Sequence, residues 1–452
     1  MNHPTQHHRS LPSSAPPTPS IDEQSDAEFD KLPTLYRDRS FWGMLSTQLL
    51  GAFNDNLFKQ LMLLVALEVA AVDLQWVAMI VFAVPFVMFS GLAGFLSDRY
   101  RKQPIIVAAK VAEIAVMLLG VVAFLTFTHT GFVGLLVVLG LMSLQSTFFG
   151  PGKYGILPEM LRQSDLPRAN GLMLMTTFLA IIGGTAVAGI LIDLFADGGQ
   201  AVGRSAGNVW VGSAVCVLIA VIGTGTSLLI RCTPPASPGM KFRLDALAIP
   251  AQTRSMLRLD RPLLWAVLAS SMFWGVAGVT QQTVNSLGVD QLQLSKTATS
   301  ILAAIVGVGI AGGAVIAGKL CRGRADFRIV RIGAWGCVAF LLLLSLPGPH
   351  RGHLLGFWGS LPSLALLGVS AGLFAIPLQV FLQSRPPREQ KGRMIAVMNQ
   401  ANFTAILLSG VVYGLFDLII RAADWNRCTI FAFTALLMLP VALFYRPSND
   451  QP

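Results

Sequence analysis

Twelve apolar runs dominate this chain, and each is long enough to cross a bilayer. They cover approximately residues 40–66, 73–97, 103–128, 131–150, 168–195, 207–231, 261–287, 296–319, 328–347, 355–383, 393–420 and 425–446. About twenty apolar residues make one transmembrane helix. Backbone inside lipid must also satisfy its own hydrogen bonds, which leaves helices or closed barrels. The runs therefore predict an all-α polytopic membrane protein with twelve transmembrane helices. Composition agrees. Only 12% of the 452 residues are charged, against about 25% in ordinary soluble domains. That excludes a soluble enzyme, a secreted disulfide scaffold and a disordered chain.

The longest break between runs, 232–260, splits the membrane part into bundles of six helices at 40–231 and 261–446. The break carries Pro234, Pro235 and Pro238, then a basic amphipathic stretch around Phe242, Leu244, Leu247 and Leu257. Residues 1–39 are polar and rich in proline, serine and histidine, and they read as a disordered tail. Residues 447–452 form a second, short tail. The net charge of +10 sits in the short loops, as expected of membrane topology and not of nucleic-acid binding. With the N-terminus inside, 26 of the 33 lysines and arginines face the cytoplasm and five face outside. Lys59 and Lys110 lie within helices. This bias places both termini in the cytoplasm. The five scattered cysteines read as small buried hydrophobes.

The halves echo each other. A short basic loop containing proline precedes the fifth helix, and another precedes the eleventh, with asparagines soon after each. Six-plus-six repetition is the pattern of a rocking secondary transporter. Gly309 and Gly313, Gly368 and Gly372, and Gly410 and Gly414 lie four apart on apolar helices. Such pairs let helices approach closely.

Ionisable groups inside a membrane are expensive and point to function. In the first helix, Gln48, Ala52, Asp55 and Lys59 share one face, with Asn54 and Asn56 beside them. Asp55 and Lys59 stand four apart, at pairing distance. Lys110 and Glu113 stand three apart on the third helix, where a structural ion pair competes with a functional role. The fourth helix carries Gln145, Ser146 and Thr147, and is expected to break at Gly150-Pro151-Gly152. Lys153 and Tyr154 follow at its cytoplasmic end, where a lysine can hold a phosphate as a point charge. Asn170 opens the fifth helix. No metal-ligand cluster, nucleotide-binding glycine loop or nucleophile elbow occurs, so neither cofactor nor enzymatic activity is expected.

The segment Gly94-Phe95-Leu96-Ser97-Asp98-Arg99-Tyr100-Arg101-Lys102 resembles the signature loop of the major facilitator superfamily. Arg101 stands where that loop has its second glycine. The resemblance implies a gating role for Gly94, Asp98, Arg99 and Lys102. Further motifs narrow the family. Gly51-Ala52-Phe53-Asn54-Asp55-Asn56, Gly150-Pro151-Gly152-Lys153-Tyr154-Gly155-Ile156-Leu157-Pro158-Glu159 and Arg168-Ala169-Asn170-Gly171-Leu172-Met173 resemble segments of the bacterial lysophospholipid transporters. They also resemble the transporter domain of transporter–acyltransferase fusions. Some members carry an arginine in helix seven, and here Val279-Thr280-Gln281-Gln282-Thr283 has no cation. The acyltransferase H-x-x-x-x-D motif is missing.

The resemblance implies lysophospholipid transport in the cytoplasmic membrane by alternating access, for re-acylation by a separate acyltransferase. It implies a monomer embedded in the bilayer. Asn54, Asp55, Asn56, Lys59, Lys110, Glu113, Gln145, Lys153, Tyr154 and Asn170 are the candidate translocation residues. A proton-coupled drug or solute exporter is the alternative on the same fold. A scaffold that recruits an acyltransferase is the alternative of another class.

Overall fold

A computed structural model describes residues 33–68, 73–162, 165–195, 208–235, 237, 239, 251–321, 327–385 and 391–445. Twelve long helices occur among them: α1 (Arg39–Glu68), α2 (Gln75–Arg99), α3 (Lys102–Leu125), α4 (Phe127–Gly155), α5 (Leu166–Phe195), α6 (Trp210–Ser227), α7 (Arg261–Ser286), α8 (Lys296–Cys321), α9 (Phe327–Leu344), α10 (Gly356–Ser384), α11 (Lys391–Ala423) and α12 (Thr429–Phe444). Ten are long and apolar enough to cross a membrane by length and composition. α12 is apolar but shorter. α1 is long, and it carries Asp55 and Lys59 at its middle. An even number of passes puts both chain ends on one face, here called the terminal face.

The packing repeats after six helices. α1 lies against α5 and α6, α3 against α4 and α6, and α2 against α4. In the same way α7 lies against α11 and α12, α9 against α10 and α12, and α8 against α10. Two exchanged contacts make up most of the junction between the halves: α5 with α8, and α2 with α11. One apolar core runs entirely through the second half, from Leu257 to Tyr445.

Small residues set the closest crossings. A Cβ on Gly309 or Gly313 of α8 would run into the α10 backbone at Ala365 or Val369. A Cβ on Gly368 or Gly372 would strike α8 in return. Gly410 and Gly414 of α11 press on Trp76 and Ile80 of α2, so that pair joins the two halves.

Three expectations change. α4 does not break at Gly150-Pro151-Gly152; it runs to Gly155 with Pro151 inside it. Its irregularity lies at the other end, where Gly131 adopts φ 58°. Ordered structure starts before residue 40: Leu35–Arg37 form a 3-10 turn whose Leu35 is buried. Cys232 is exposed, whereas Cys216, Cys337 and Cys428 are buried. Of the linker, Phe242, Leu244 and Leu247 lie outside the described residues. Leu257 sits on a short helix, Ala251–Leu259, and is buried against the second half.

Candidate functional site

The motif on α1 faces the interior of the first half. Asn54 is fully buried, and its amide donates to Glu113 Oε1 at 2.6 Å. The other oxygen of Glu113 takes the Lys110 ammonium. Both charged side chains are only 1% exposed. The lysine reaches this position because two glycines flank it. A Cβ on Gly51 would fall 2.9 Å from its Nζ, and one on Gly223 would fall 3.1 Å from its Cε. The Phe149 ring lies 5.7 Å from the ammonium. Lys110 and Glu113 thus form a sealed ion pair that fixes Asn54. A buried pair of this kind is tolerated only when its remaining hydrogen-bonding capacity is met.

One residue on, Asp55 is held differently. Its Oδ2 accepts the Ser146 hydroxyl at 2.6 Å, and Ser146 in turn accepts Gln145 Nε2 at 2.8 Å. Asp55 Oδ1 is buried with no hydrogen-bond partner among the described residues, as are Asn54 Oδ1 and Gln48 Oε1. Gln48 donates to Thr177 on α5 at 2.7 Å. α1 therefore carries three acceptor oxygens lacking donors, and a buried polar group of that kind is costly. The expected Asp55–Lys59 pair does not form. Lys59 instead lies 5.2 Å from the Phe82 ring centroid, a cation–π contact. Asp55 and its serine thus leave Lys59 free to point along α1 towards α2.

The other candidates are spread out. Asn56 donates to the carbonyl of Ala52 within its own helix, at 2.8 Å. Lys153 is half-buried in the last turn of α4, and Asn170 is exposed on the first turns of α5. The Tyr154 side chain lies outside the described residues. In the loop expected to gate, Arg99 lies over the rings of Phe95 and Tyr100. The carbonyl of Asp98 accepts Ser237 N–H at 2.9 Å, which ties the loop to the linker. Gly94 has open space around it. Lys102 is buried and pairs with Glu159. Two motifs singled out separately in the sequence therefore meet through one ion pair. Glu159 also accepts the Thr233 hydroxyl at 2.7 Å.

A network on the face opposite the termini was missed in the sequence. Asp73, just before α2, accepts the Tyr413 hydroxyl of α11 at 2.6 Å. It also accepts N–H and Nε2 of Gln75. Asn285 of α7 donates to Gln75 Oε1 at 2.9 Å and accepts Gln60 Nε2 of α1 at 2.9 Å. Gln281 donates to Gln60 Oε1 at 3.2 Å, so the α7 stretch without a cation is occupied in bridging the halves. Burial pushes the Asp73 carboxyl above the ordinary carboxylate range, although the Tyr413 and Gln75 donors work against it. Nearby, Asp193 of α5 accepts the first N–H groups of α8, from Lys296 at 2.9 Å and Thr297 at 2.6 Å. A carboxylate is favourable at that positive helix end. Lys296 also pairs with Glu68 at 2.5 Å. On the terminal face, the pairs Lys102–Glu159, Arg231–Asp38 and Arg385–Asp260 each stay within one half. The halves are thus fastened at the face opposite the termini. The only sequence signal for this was amides at the ends of apolar runs: Gln60, Gln75, Gln281, Gln282 and Asn285.

Residues 19–410 match the sequence profile of the Major Facilitator Superfamily. The chain belongs to that superfamily. It is a multi-pass membrane protein of the transporter fold. It is 31% identical over 404 residues to the lysophospholipid transporter LplT of Enterobacter sp. (strain 638), covering 86% of this chain and 91% of that protein. It is 30% identical to the LplT of Cronobacter sakazakii, over 85% of this chain and 89% of that one. Solved structures share the fold. A POT family transporter in complex with 5-aminolevulinic acid superposes with a TM-score of 0.70 at 14% identity, covering 92% of this chain and 98% of that one. A bacterial homolog to the human lysosomal transporter Spinster, in an inward-facing and unoccupied conformation, gives 0.65 at 14% identity, covering 90% and 95%.

Proposed function

We propose that this chain moves lysophospholipids across the cytoplasmic membrane by alternating access, with both termini in the cytoplasm. The observation that carries this reading is its likeness, along most of its length, to lysophospholipid transporters. Residues 40–231 and 261–446 are the two bodies that rock, and 232–260 joins them. The chain acts as a monomer and does no chemistry on its cargo. A separate acyltransferase restores the second acyl chain.

Asp55 is the headgroup ligand. One of its oxygens is fixed by Ser146, and the other has no protein donor. An ethanolamine ammonium brings three N–H donors to that oxygen and to the neighbouring Asn54 Oδ1. Lys153 lies on the terminal-face side of the same half and takes the phosphate. Lys110 and Glu113 act indirectly by holding Asn54. Opening of the opposite face requires the Asp73–Tyr413 and Gln60–Asn285 bonds to part.

The test is lysophosphatidylethanolamine movement into vesicles that contain this protein and trap arriving lipid with a soluble acyltransferase. A proton ionophore is added to a parallel sample. Movement above empty vesicles that survives the ionophore supports facilitated transport. Movement abolished by the ionophore points to proton coupling. No movement above empty vesicles contradicts the cargo.

A further inference from the structure

The start of α1 and the residues after α6 line an open cavity of about 380 Å³, formed by Pro33, Arg37, Asp38, Arg39, Ser40, Leu229 and Arg231. It lies on the terminal face, about 24 Å along α1 from Asp55 at the usual helical rise. The translocation residues do not reach it.

Its charge is unbalanced. Both oxygens of Asp38 are committed. Each lies 3.3 Å from Arg231 Nη2, and Oδ1 also accepts Ser40 N–H at 2.8 Å. Arg231 Nη1 donates to the Met160 carbonyl at 3.3 Å. Arg231 is therefore held in place at the cavity wall. Arg37 and Arg39 are exposed, and neither forms an ion pair among the described residues. Three guanidinium groups thus surround the space against a single carboxylate that is already engaged. Guanidinium forks match phosphate oxygens in geometry and charge.

Apolar side chains border the cavity on one side. Leu228 and Leu229 follow directly on α6 and are 63% and 47% exposed. Tyr36 and Trp42 are exposed beside them, and Trp42 Nε1 donates to the Tyr36 carbonyl at 3.0 Å. Tryptophan and tyrosine gather at the membrane–water boundary. A free anion would leave the leucine wall unused. A phospholipid places its phosphate among the arginines and its chains along Leu228 and Leu229. Basic pockets of this type on the cytoplasmic side hold anionic headgroups.

We infer that this cavity binds the headgroup phosphate of an anionic phospholipid from the leaflet at the terminal face, as a site separate from the transport path. A lipid seated there ties the start of α1 to the residues that follow α6.

The test uses the purified full chain in detergent, titrated with dioleoyl-phosphatidylglycerol, dioleoyl-phosphatidylcholine or inorganic phosphate. Native mass spectrometry counts the molecules retained. The double variant Arg37→Gln/Arg39→Gln is compared with Arg258→Gln, which removes an exposed charge from the short helix of the linker. The expected result is one tightly retained phosphatidylglycerol in the parent and in Arg258→Gln. The double variant should bind it on the order of thirtyfold more weakly, from the attraction of two basic side chains at an anionic surface. Phosphatidylcholine should not be retained. Unchanged retention by the double variant would overturn the site, as would equal loss in Arg258→Gln. Equal binding of phosphatidylcholine would overturn the role of charge. Retention of phosphate without phosphatidylglycerol would make this a free-anion site and overturn the lipid.

Discussion

The two halves share one packing scheme and differ in what they bury. At the centre of the first half lie Asp55, Lys59, Lys110 and Glu113, held by Asn54, Ser146 and Phe82. In the second half, where α7 meets α11, Asn402 accepts hydroxyl donors from Ser270 and Ser271 at 3.2 and 3.3 Å. The charges described in the second half gather near its ends, as in Asp417 with Arg421 and Arg427. Packing in this fold depends on small residues at crossings, which either half can supply. Binding a polar headgroup within a membrane requires charge at the midplane, and one half suffices. Under the proposed function, the second half is the surface against which the first half opens and closes.

The largest effect that would sharpen this contrast is expected from Glu113→Gln. It leaves the Lys110 ammonium buried without a carboxylate, which costs about 3–5 kcal/mol. Thermal unfolding in detergent should show a large loss of stability. A variant as stable as the parent would mean that the pair is hydrated or already neutral.

Next comes Tyr413→Phe, which removes a hydroxyl donated to a carboxyl between the halves, worth about 1.5–3 kcal/mol. The opposite face should open more often. Cysteines placed at Glu68 and Lys296, whose charged groups meet in the closed form, should crosslink less in this variant. Unchanged crosslinking would show that Asp73 is not a fastener. The same bond gives a pH dependence. The Asp73 carboxyl is raised by burial, so its ionised form is the disfavoured one in the closed state. The fastening is complete below the ordinary aspartate range and weakens as pH rises through the raised value. Crosslinking should follow that direction and lose its pH dependence in Asp73→Asn.

A smaller effect is expected from Asn402→Ala in the second half. It leaves two serine hydroxyls without an acceptor, at about 1 kcal/mol, and should leave transport largely intact. The smallest concerns the loop between α9 and α10. Burial lowers the pKa of His353 below its ordinary 6.5, against the carbonyls of Leu344 and Gly356. Its neutral ring sits between the Leu344 carbonyl and Ser360. The stability it contributes is present above the ordinary histidine value and is lost as pH falls through the lowered one. Hydrogen exchange in this loop should rise slightly on acidification and lose that response in His353→Gln.

The helices and their repeat were legible because lipid permits so few ways to satisfy a backbone, and length with apolarity then suffices. The α1 motif was legible because Asp55 and Lys59 interrupt an apolar run. Their partners were not. Spacing along one helix suggested that Asp55 pairs with Lys59, but Ser146 from α4 is nearer in space, and Phe82 from α2 takes the lysine. Only Lys110 and Glu113, three apart on one helix, were paired correctly from spacing alone. Pro151 suggested a break because proline removes an internal hydrogen bond, yet α4 continues through it to Gly155. The fastening network was hidden because amides carry no charge. Gln60, Gln75 and Asn285 look like ordinary helix-end residues until α1, α2 and α7 are brought together.

Under the proposed function, headgroup recognition resides on α1 of the first half. The direct measurement is lysophosphatidylethanolamine uptake by the parent, Asp55→Asn and Asn402→Ala, each at matched amounts of folded protein. Uptake should fall at least tenfold in Asp55→Asn, the scale of one lost charge-assisted contact, and stay near-parental in Asn402→Ala. Parental uptake by Asp55→Asn would contradict this placement.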